Sequence, residues 1–249
     1  MTGAYSAEFY RDLDQTSGPS AARVLPLVLS LLPVRSVVDV GCGDGSWLSA
    51  FSALGIDDIV GVEGPWISPQ QLKIPTDKVR RMRVDQAVRL DRRFDFAMSL
   101  EVAEHLPPAR AESFVSDLVA LAPCVLLSAA IPGQGGHHHE NEQWPSYWAA
   151  FFARHGYVAV DCLRPQLWAD NSVAWWYRQN LILFCDVDTL AKHPALAAMA
   201  SPSPDAVKAL VHPECFAHQR RYAEPSFGRW LKMGRAAWSR SRAKKRIPA

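Results

Sequence analysis

No run of about eighteen apolar residues occurs anywhere in the chain, so a membrane-spanning helix is not expected. The opening Met1-Thr-Gly-Ala-Tyr-Ser-Ala-Glu has neither a basic segment nor an apolar one, so no secretory signal is expected. Cysteine is scarce and unpaired in pattern: five residues, an odd number, with no C-x-x-C. That excludes a disulfide framework and the common zinc spacings. Four of the five lie in or beside apolar runs, as buried thiols do, and a reduced, cytoplasmic setting is expected. No internal repeat is visible, which excludes a solenoid.

Charge of one sign is missing from most of the chain. The net charge of the 249 residues is +2, yet from Arg220 onward ten Lys and Arg face a single acid, Glu224. The remainder therefore carries −7, which disfavours phosphate tracking, so nucleic acid is not the expected partner. Hydrophobic content of 49% is ample for a core. The expected organisation is a helical segment over 1–34, one α/β domain over 35–190 and a basic helical extension over 191–249.

The stretch that organises the rest is Ser36–Trp47, Ser-Val-Val-Asp-Val-Gly-Cys-Gly-Asp-Gly-Ser-Trp. Its β-branched run predicts a strand buried on both faces. Glycines at 41, 43 and 45 then allow close backbone approach, and a helix start at Ser46 offers free N–H groups. The spacing is G-x-G-x-G, not the G-x-G-x-x-G/A of dinucleotide folds. With Asp39 two residues ahead of Gly41, the pattern resembles the first motif of class I S-adenosylmethionine (SAM)-dependent methyltransferases.

Helices are predicted over 4–12 and 17–32, the second capped by Ser17 or Ser20, then over Ser46–Leu54, Pro108–Leu121 and Pro145–His155. Strands are predicted over Ser36–Val40, Ile59–Glu63, Val79–Val84, Phe94–Leu100, Cys124–Ala129, Val158–Leu163 and Asn180–Val187. Prolines at 65, 69 and 75 abbreviate one crossover. The last two strands, with no helix expected between them, suggest an antiparallel hairpin, and Ala200–Pro204 reads as a linker. The fold class is thus α/β: a Rossmann-like seven-stranded sheet, mostly parallel with a C-terminal antiparallel hairpin and helices on both faces.

Several residues can carry chemistry. Glu63 ends the second strand twenty positions after Gly43, the offset at which an acid meets ribose hydroxyls. Asp85 follows the third strand, where its carboxylate can accept from an adenine amino group while the backbone of Gln86 reaches a ring nitrogen. Phe94–Pro108 contains Ser-Leu-Glu-Val-Ala-Glu-His-Leu-Pro, which resembles the fourth-strand motif of small-molecule methyltransferases. The resemblance implies that Ser99, Leu100 and Glu101 lie beside the methionine part of the cofactor. His105 is a candidate base or a support for its loop.

Ser128–Trp148 is the most distinctive stretch. It leaves the fifth strand at the sheet end where such folds place ligands. Its glycines suggest mobility, and His137, His138, His139, Glu140 and Glu142 supply bases or ligands. A metal held by His138 or His139 with Glu142 is one reading; a solvated loop is another. Residues Ser36–Val187 resemble, throughout, a bacterial glycan-associated subgroup of class I methyltransferases. Ile-Pro-Gly-Gln-Gly-Gly, Asn-Glu-Gln-Trp-Pro and Trp-Trp-Tyr-Arg-Gln-Asn carry the likeness, with His138 and His139 on its paired histidines. Actinobacterial sugar O-methyltransferases are the most similar members.

The resemblance implies SAM as methyl donor, with S-adenosylhomocysteine (SAH) as product, and a small hydroxylated acceptor such as a sugar in polysaccharide biosynthesis. His139, or else His138, is the expected base. Trp144, Tyr147 and Trp176, with Glu142, are the candidate acceptor contacts. Other readings are an N- or C-methyltransferase, an RNA methyltransferase using the basic tail, and a non-catalytic SAM-binding regulator. The aromatic face of that tail (Phe227, Trp230, Leu231, Trp238) suits docking on its own domain or in a homodimer.

Overall fold

The structure, a computed structural model, describes residues 7–223, with side chains over 16–220. Contacts divide the chain into two compact units, Met1–His212 and Pro213–Ala249. The second unit's described part is the helix Pro213–Ala223, and the aromatic residues of the basic tail lie outside the described residues.

In chain order the elements of the first unit are α1 (Ala7–Leu31), β1 (Ser36–Val40), α2 (Ser46–Ala53), β2 (Asp58–Glu63), β3 (Val79–Arg81), β4 (Phe96–Leu100), α3 (Ala111–Leu121), β5 (Cys124–Ser128), α4 (Pro145–Arg154), β6 (Tyr157–Val160), α5 (Arg164–Leu167), α6 (Trp175–Asn180), β7 (Ile182–Asp186), α7 (Val187–Lys192) and α8 (Pro194–Ala197). One seven-stranded sheet runs β3-β2-β1-β4-β5-β7-β6. The first five strands in that order pair parallel, and β7 pairs antiparallel with both β5 and β6. This is the Rossmann-like methyltransferase sheet expected from the sequence.

Strand periodicity feeds two cores, one on each face. On one face Val37, Phe96, Met98, Leu126 and Leu183 meet Val24, Leu25 and Val28 of α1 and Leu48 and Phe51 of α2. On the other, Val38, Val40, Ala97, Val125 and Phe184 meet Phe114 and Leu118 of α3 and Phe152 of α4. Central strands covered on both sides explain the unbroken apolar runs.

Four local expectations are corrected. The two N-terminal helices are one helix of 25 residues that carries Pro19 and Pro26 inside it. Each proline costs about 3 kcal/mol in a helix interior, but Ala21, Val24, Leu25 and Val28 are fully buried at helical spacing, and that packing offsets it. Ser17 and Ser20 are therefore not caps. Ser17 shares a hydrogen bond with the Tyr177 hydroxyl, and Ser20 accepts from the backbone N–H of Ala174.

The third strand stops at Arg81, short of Val84. β6 at the sheet edge and β7 beside β5 form the expected antiparallel pair, but the return between them is not free of helix. That return contains α5 and α6. Ala200–Pro204 is no free linker either, because Ala200 bridges Val160 and the Ser201 N–H donates to Ala159 on the open edge of β6.

Candidate active site

The carboxyl ends of β1 and β2 are built as one corner. Register puts Val40 opposite Val62, so Glu63 stands one step further along, level with the glycine turn. The N–H groups of Gly41 and Cys42 donate to the Val62 carbonyl, and Gly45 closes the turn onto Cys42. Gly41 has φ +86° and Gly45 φ +80°, in the left-handed region. A Cβ on Gly41 would come within 2.5 Å of Val102, and one on Gly45 within 2.8 Å of Ile74. Both glycines are required by shape as well as by backbone angle.

Glu63 is buried, and its two oxygens accept from the N–H groups of Gly43 (2.8 Å) and Gly64 (2.7 Å). Burial nevertheless raises its pKa, opposed by those hydrogen bonds, by the Trp66 side chain and by Arg81. Asp39 is raised well above the usual carboxylate range, first by burial, then by the charges of Glu63 and Asp44. Asp44 itself accepts from the N–H and hydroxyl of Ser46 and is paired with Lys73. The corner thus combines a left-handed glycine turn with two buried acids that a cationic ligand would favour in their charged form. A sulfonium- and ammonium-bearing cofactor fits that requirement.

Asp85 and Gln86 follow β3, with the Asp85 carboxylate ion-paired to Arg83 and its pKa lowered by that hydrogen bond. They line a cleft of about 520 Å³ shared with Arg89, Arg110, Asp117 and His155. Ser99 is fully buried and donates to the Val40 carbonyl, which ties β4 to β1. Leu100 belongs to the core on the α1 side.

Beyond β4 the chain turns sharply. Glu101 has φ +54°, and its N–H donates to both the carbonyl and the hydroxyl of Ser128 at the end of β5. Its carboxylate accepts from Gln134 and Asn180, at 3.0 Å each. Burial raises its pKa against those hydrogen bonds. Gln134 and Asn180 bond in turn to each other and to Gln179. One network therefore joins the β4 end, the loop after β5 and α6.

Glu104, one turn after Glu101, is fully buried, and neither carboxylate oxygen has a hydrogen-bond partner. Burial and then the neighbouring Glu101 raise its pKa well above the ordinary range. His105 follows; burial and then His139 lower its pKa to about 4, so the ring is neutral near pH 7. Its Nδ1 lies 3.3 Å from the His138 carbonyl.

The loop after β5 is fastened at several points. The N–H groups of Glu140 and Asn141 donate to the Glu104 carbonyl, and Gln143 donates to Ala130. Glu142 holds a nest of donors: Gly133 N–H (2.7 Å), Gly135 N–H (2.8 Å) and His139 Nδ1 (2.8 Å). The loop glycines thus serve turn geometry, with φ +81° at Gly133 and +73° at Gly135. His138 has φ +58° and is exposed, as is His137, whereas His139 turns inward with its ring 4.8 Å from that of His105. Glu101 and His138, both in this region, are the non-glycine residues with positive φ among the described residues.

The structure brings together Glu101, Glu104, His105, His139 and Glu142. It separates Tyr147, whose ring packs edge-on against Trp148 and Phe151 in the α4 core. Trp144 is exposed at the start of α4, and Trp176 lies half-buried one helical turn before Asn180. The residues that sequence reasoning did not single out are Glu104, Gln134, Gln179 and Asn180. All lie inside quoted motifs, but their convergence requires β4, the loop and α6 to meet.

A mostly parallel sheet ending in antiparallel strands, with a left-handed glycine turn and buried acids at its carboxyl edge, defines a SAM-dependent methyltransferase. Residues 15–164 match the family described as a methyltransferase domain, more than half of the chain, and the protein belongs to that family. No curated protein matches the chain. Among solved structures it is similar to Streptomyces venezuelae DesVI, with 15% identity, 72% of this chain and 95% of that one covered, and a TM-score of 0.54. It is also similar to the sugar N-methyltransferase KedS8 from a Streptoalloteichus species (18% identity, 75% and 97% covered, TM-score 0.54). The third is SAM-bound CalS10, an amino pentose methyltransferase from Micromonospora echinaspora (16%, 75% and 100%, TM-score 0.53). At these identities the likeness is one of fold.

Proposed function

We propose that the enzyme methylates a hydroxyl of a small saccharide and that His139 takes the hydroxyl proton. The observation that carries this reading is the His139–Glu142 pair, 2.8 Å apart, on the loop at the carboxyl end of β5. Glu142 accepts the Nδ1 proton, which fixes the tautomer and leaves Nε2 with its lone pair as acceptor. SAM, when bound, supplies an electrophilic sulfonium methyl and leaves as SAH. Asp39, the glycine turn and Glu63 hold it, with Asp85, Gln86 and the β4 end (Ser99, Leu100, Glu101) completing the proposed cofactor contacts.

The chain's main contribution is alignment of acceptor and donor, which can supply about 7–11 kcal/mol. Exposed Trp144 and half-buried Trp176 offer flat apolar faces to a sugar ring. Support for a saccharide also comes from the likeness to KedS8, a sugar N-methyltransferase, and CalS10, an amino pentose methyltransferase. The same two proteins favour a second reading, transfer to an amino group of a sugar. A cytoplasmic setting, where the five buried thiols stay reduced, belongs to the proposal.

Incubation with methyl-labelled SAM and matched hydroxy- and amino-sugar acceptors, followed by mass spectrometry, tests it. Label on oxygen is the expected result; label on nitrogen alone would favour the second reading, and no labelled sugar would remove both.

A further inference from the structure

We infer that Glu104, His105 and His139 form a binding site for one divalent transition-metal ion, a site that extends the proposed acceptor region. The inference rests on the acceptor entering at the carboxyl ends of β4 and β5. Three observations carry it. The ligand atoms of the three side chains lie within 4.8 Å of one another, so small side-chain rotations bring them onto one centre. Glu104 is fully buried with both carboxylate oxygens unpartnered. A buried carboxylate without donors is costly, and a cation is the partner that its two free oxygens lack.

The third observation is the orientation of the two rings. Each histidine already has Nδ1 engaged, His139 on the Glu142 carboxylate and His105 on the His138 carbonyl, which leaves Nε2 of both rings for the metal. Metal-bound histidines characteristically donate their other N–H to a carboxylate or a backbone carbonyl. The Glu142 oxygens are taken up by two backbone N–H groups and His139, so Glu142 is a positioning residue and not a ligand. His138, with φ +58°, places its carbonyl 3.3 Å from His105 Nδ1. The sequence reading of His138 or His139 with Glu142 is thereby replaced by a different donor set.

Two imidazoles and a carboxylate suit the borderline ions Mn²⁺, Fe²⁺, Co²⁺ and Zn²⁺ better than Mg²⁺ or Ca²⁺, which prefer oxygen alone. Three protein ligands leave positions open for water or for acceptor oxygens. His139 Nε2 cannot hold a cation and a proton at once, so it is the proposed proton acceptor in the metal-free enzyme and a ligand in the loaded one.

The test uses the full chain stripped with EDTA and titrated with Mn²⁺, the free ion being followed by electron paramagnetic resonance and the bound ion counted after gel filtration. One Mn²⁺ per chain is expected. His139→Ala and Glu104→Gln should each abolish that stoichiometric binding, while SAH affinity, which reports an intact fold, stays at the wild-type value. Glu142→Gln should weaken Mn²⁺ about 10–100-fold by freeing the His139 ring. Failure of the wild-type chain to bind Mn²⁺, or in parallel Co²⁺ or Zn²⁺, would overturn the inference and leave Glu104 a neutral buried acid. Equal binding by His139→Ala would overturn it as well. Mn²⁺ binding without sugar methylation would sink the proposed function alone, and sugar methylation by a chain that binds none of these ions would sink the metal site alone.

Discussion

The two ends of this active site handle buried carboxylates in opposite ways. At the β1–β2 corner, Glu63 is held by the N–H groups of Gly43 and Gly64, and Asp44 by Ser46 and Lys73. At the β4–β5 end, Glu101 depends on side chains from Gln134 and Asn180, and Glu104 lies buried beside Glu101 with neither oxygen in a close hydrogen bond. The first arrangement is local and made mostly of backbone. The second is assembled from three distant segments. In the proposed reading the first arrangement holds the methyl donor and the second faces the acceptor.

The largest effect that would sharpen this contrast is on turnover. In the metal-free enzyme His139→Ala should lower kcat by about 10²–10⁴-fold, the usual contribution of a positioned proton acceptor, with SAH affinity unchanged by calorimetry. Near-normal turnover would remove His139 from the chemistry. At the other end, Gly41→Ala should do the reverse, weakening SAH binding while leaving Mn²⁺ binding intact. A left-handed φ imposed on a side chain costs about 1–3 kcal/mol, and Val102 blocks the added Cβ.

Asn180→Ala removes one of the donors to the half-buried Glu101 carboxylate and should cost about 1–3 kcal/mol in denaturant unfolding. An unchanged midpoint would mean that the network at this end is solvated.

A smaller effect separates the ends by proton count. Asp39 and Glu63 have raised pKa values in the free protein, chiefly from burial, with Glu63 and Asp44 adding to the shift at Asp39 and Arg81 and the Gly43 and Gly64 N–H groups opposing it at Glu63. A cationic cofactor beside them lowers those values, so binding SAM should release protons at mildly acid pH, and affinity should rise with pH through that range. Calorimetry in buffers of different ionisation enthalpy measures the release. SAH lacks the sulfonium charge and should release less; equal release would place the cation away from these acids. The smallest effect is structural: Ser17→Ala should cost about 0.5–1.5 kcal/mol through its bond to Tyr177.

The same division decided what was legible in the sequence. The seven strands follow from runs whose alternate residues fill two cores, and the β1–β2 corner follows from residues close in sequence or at a fixed offset, Gly41 to Glu63. Misreadings arose where tertiary packing overrode local preference. The stretch 13–16 reads as a break in a helix that runs unbroken through it, and the polar Arg-Gln-Asn at 178–180 gave no hint of a helix inserted before β7. Glu104 stood in plain view within Glu-Val-Ala-Glu-His, but burial of a carboxylate is not written in its neighbours. The separation of His139 from His137 and His138 was equally hidden, since it depends on Glu142 fastening the turn.

The central claim is that a backbone-built donor corner and a ligand-dependent acceptor end act together in one methyl transfer. Its most direct measurement is labelled-methyl transfer to the saccharide panel by the wild type and by His139→Ala, each metal-free and Mn²⁺-supplemented, with SAH affinity measured on both. Methylated sugar from the wild type only, at equal SAH affinities, is the predicted result. Equal product from both proteins, or none from a wild type that binds SAH, would contradict it.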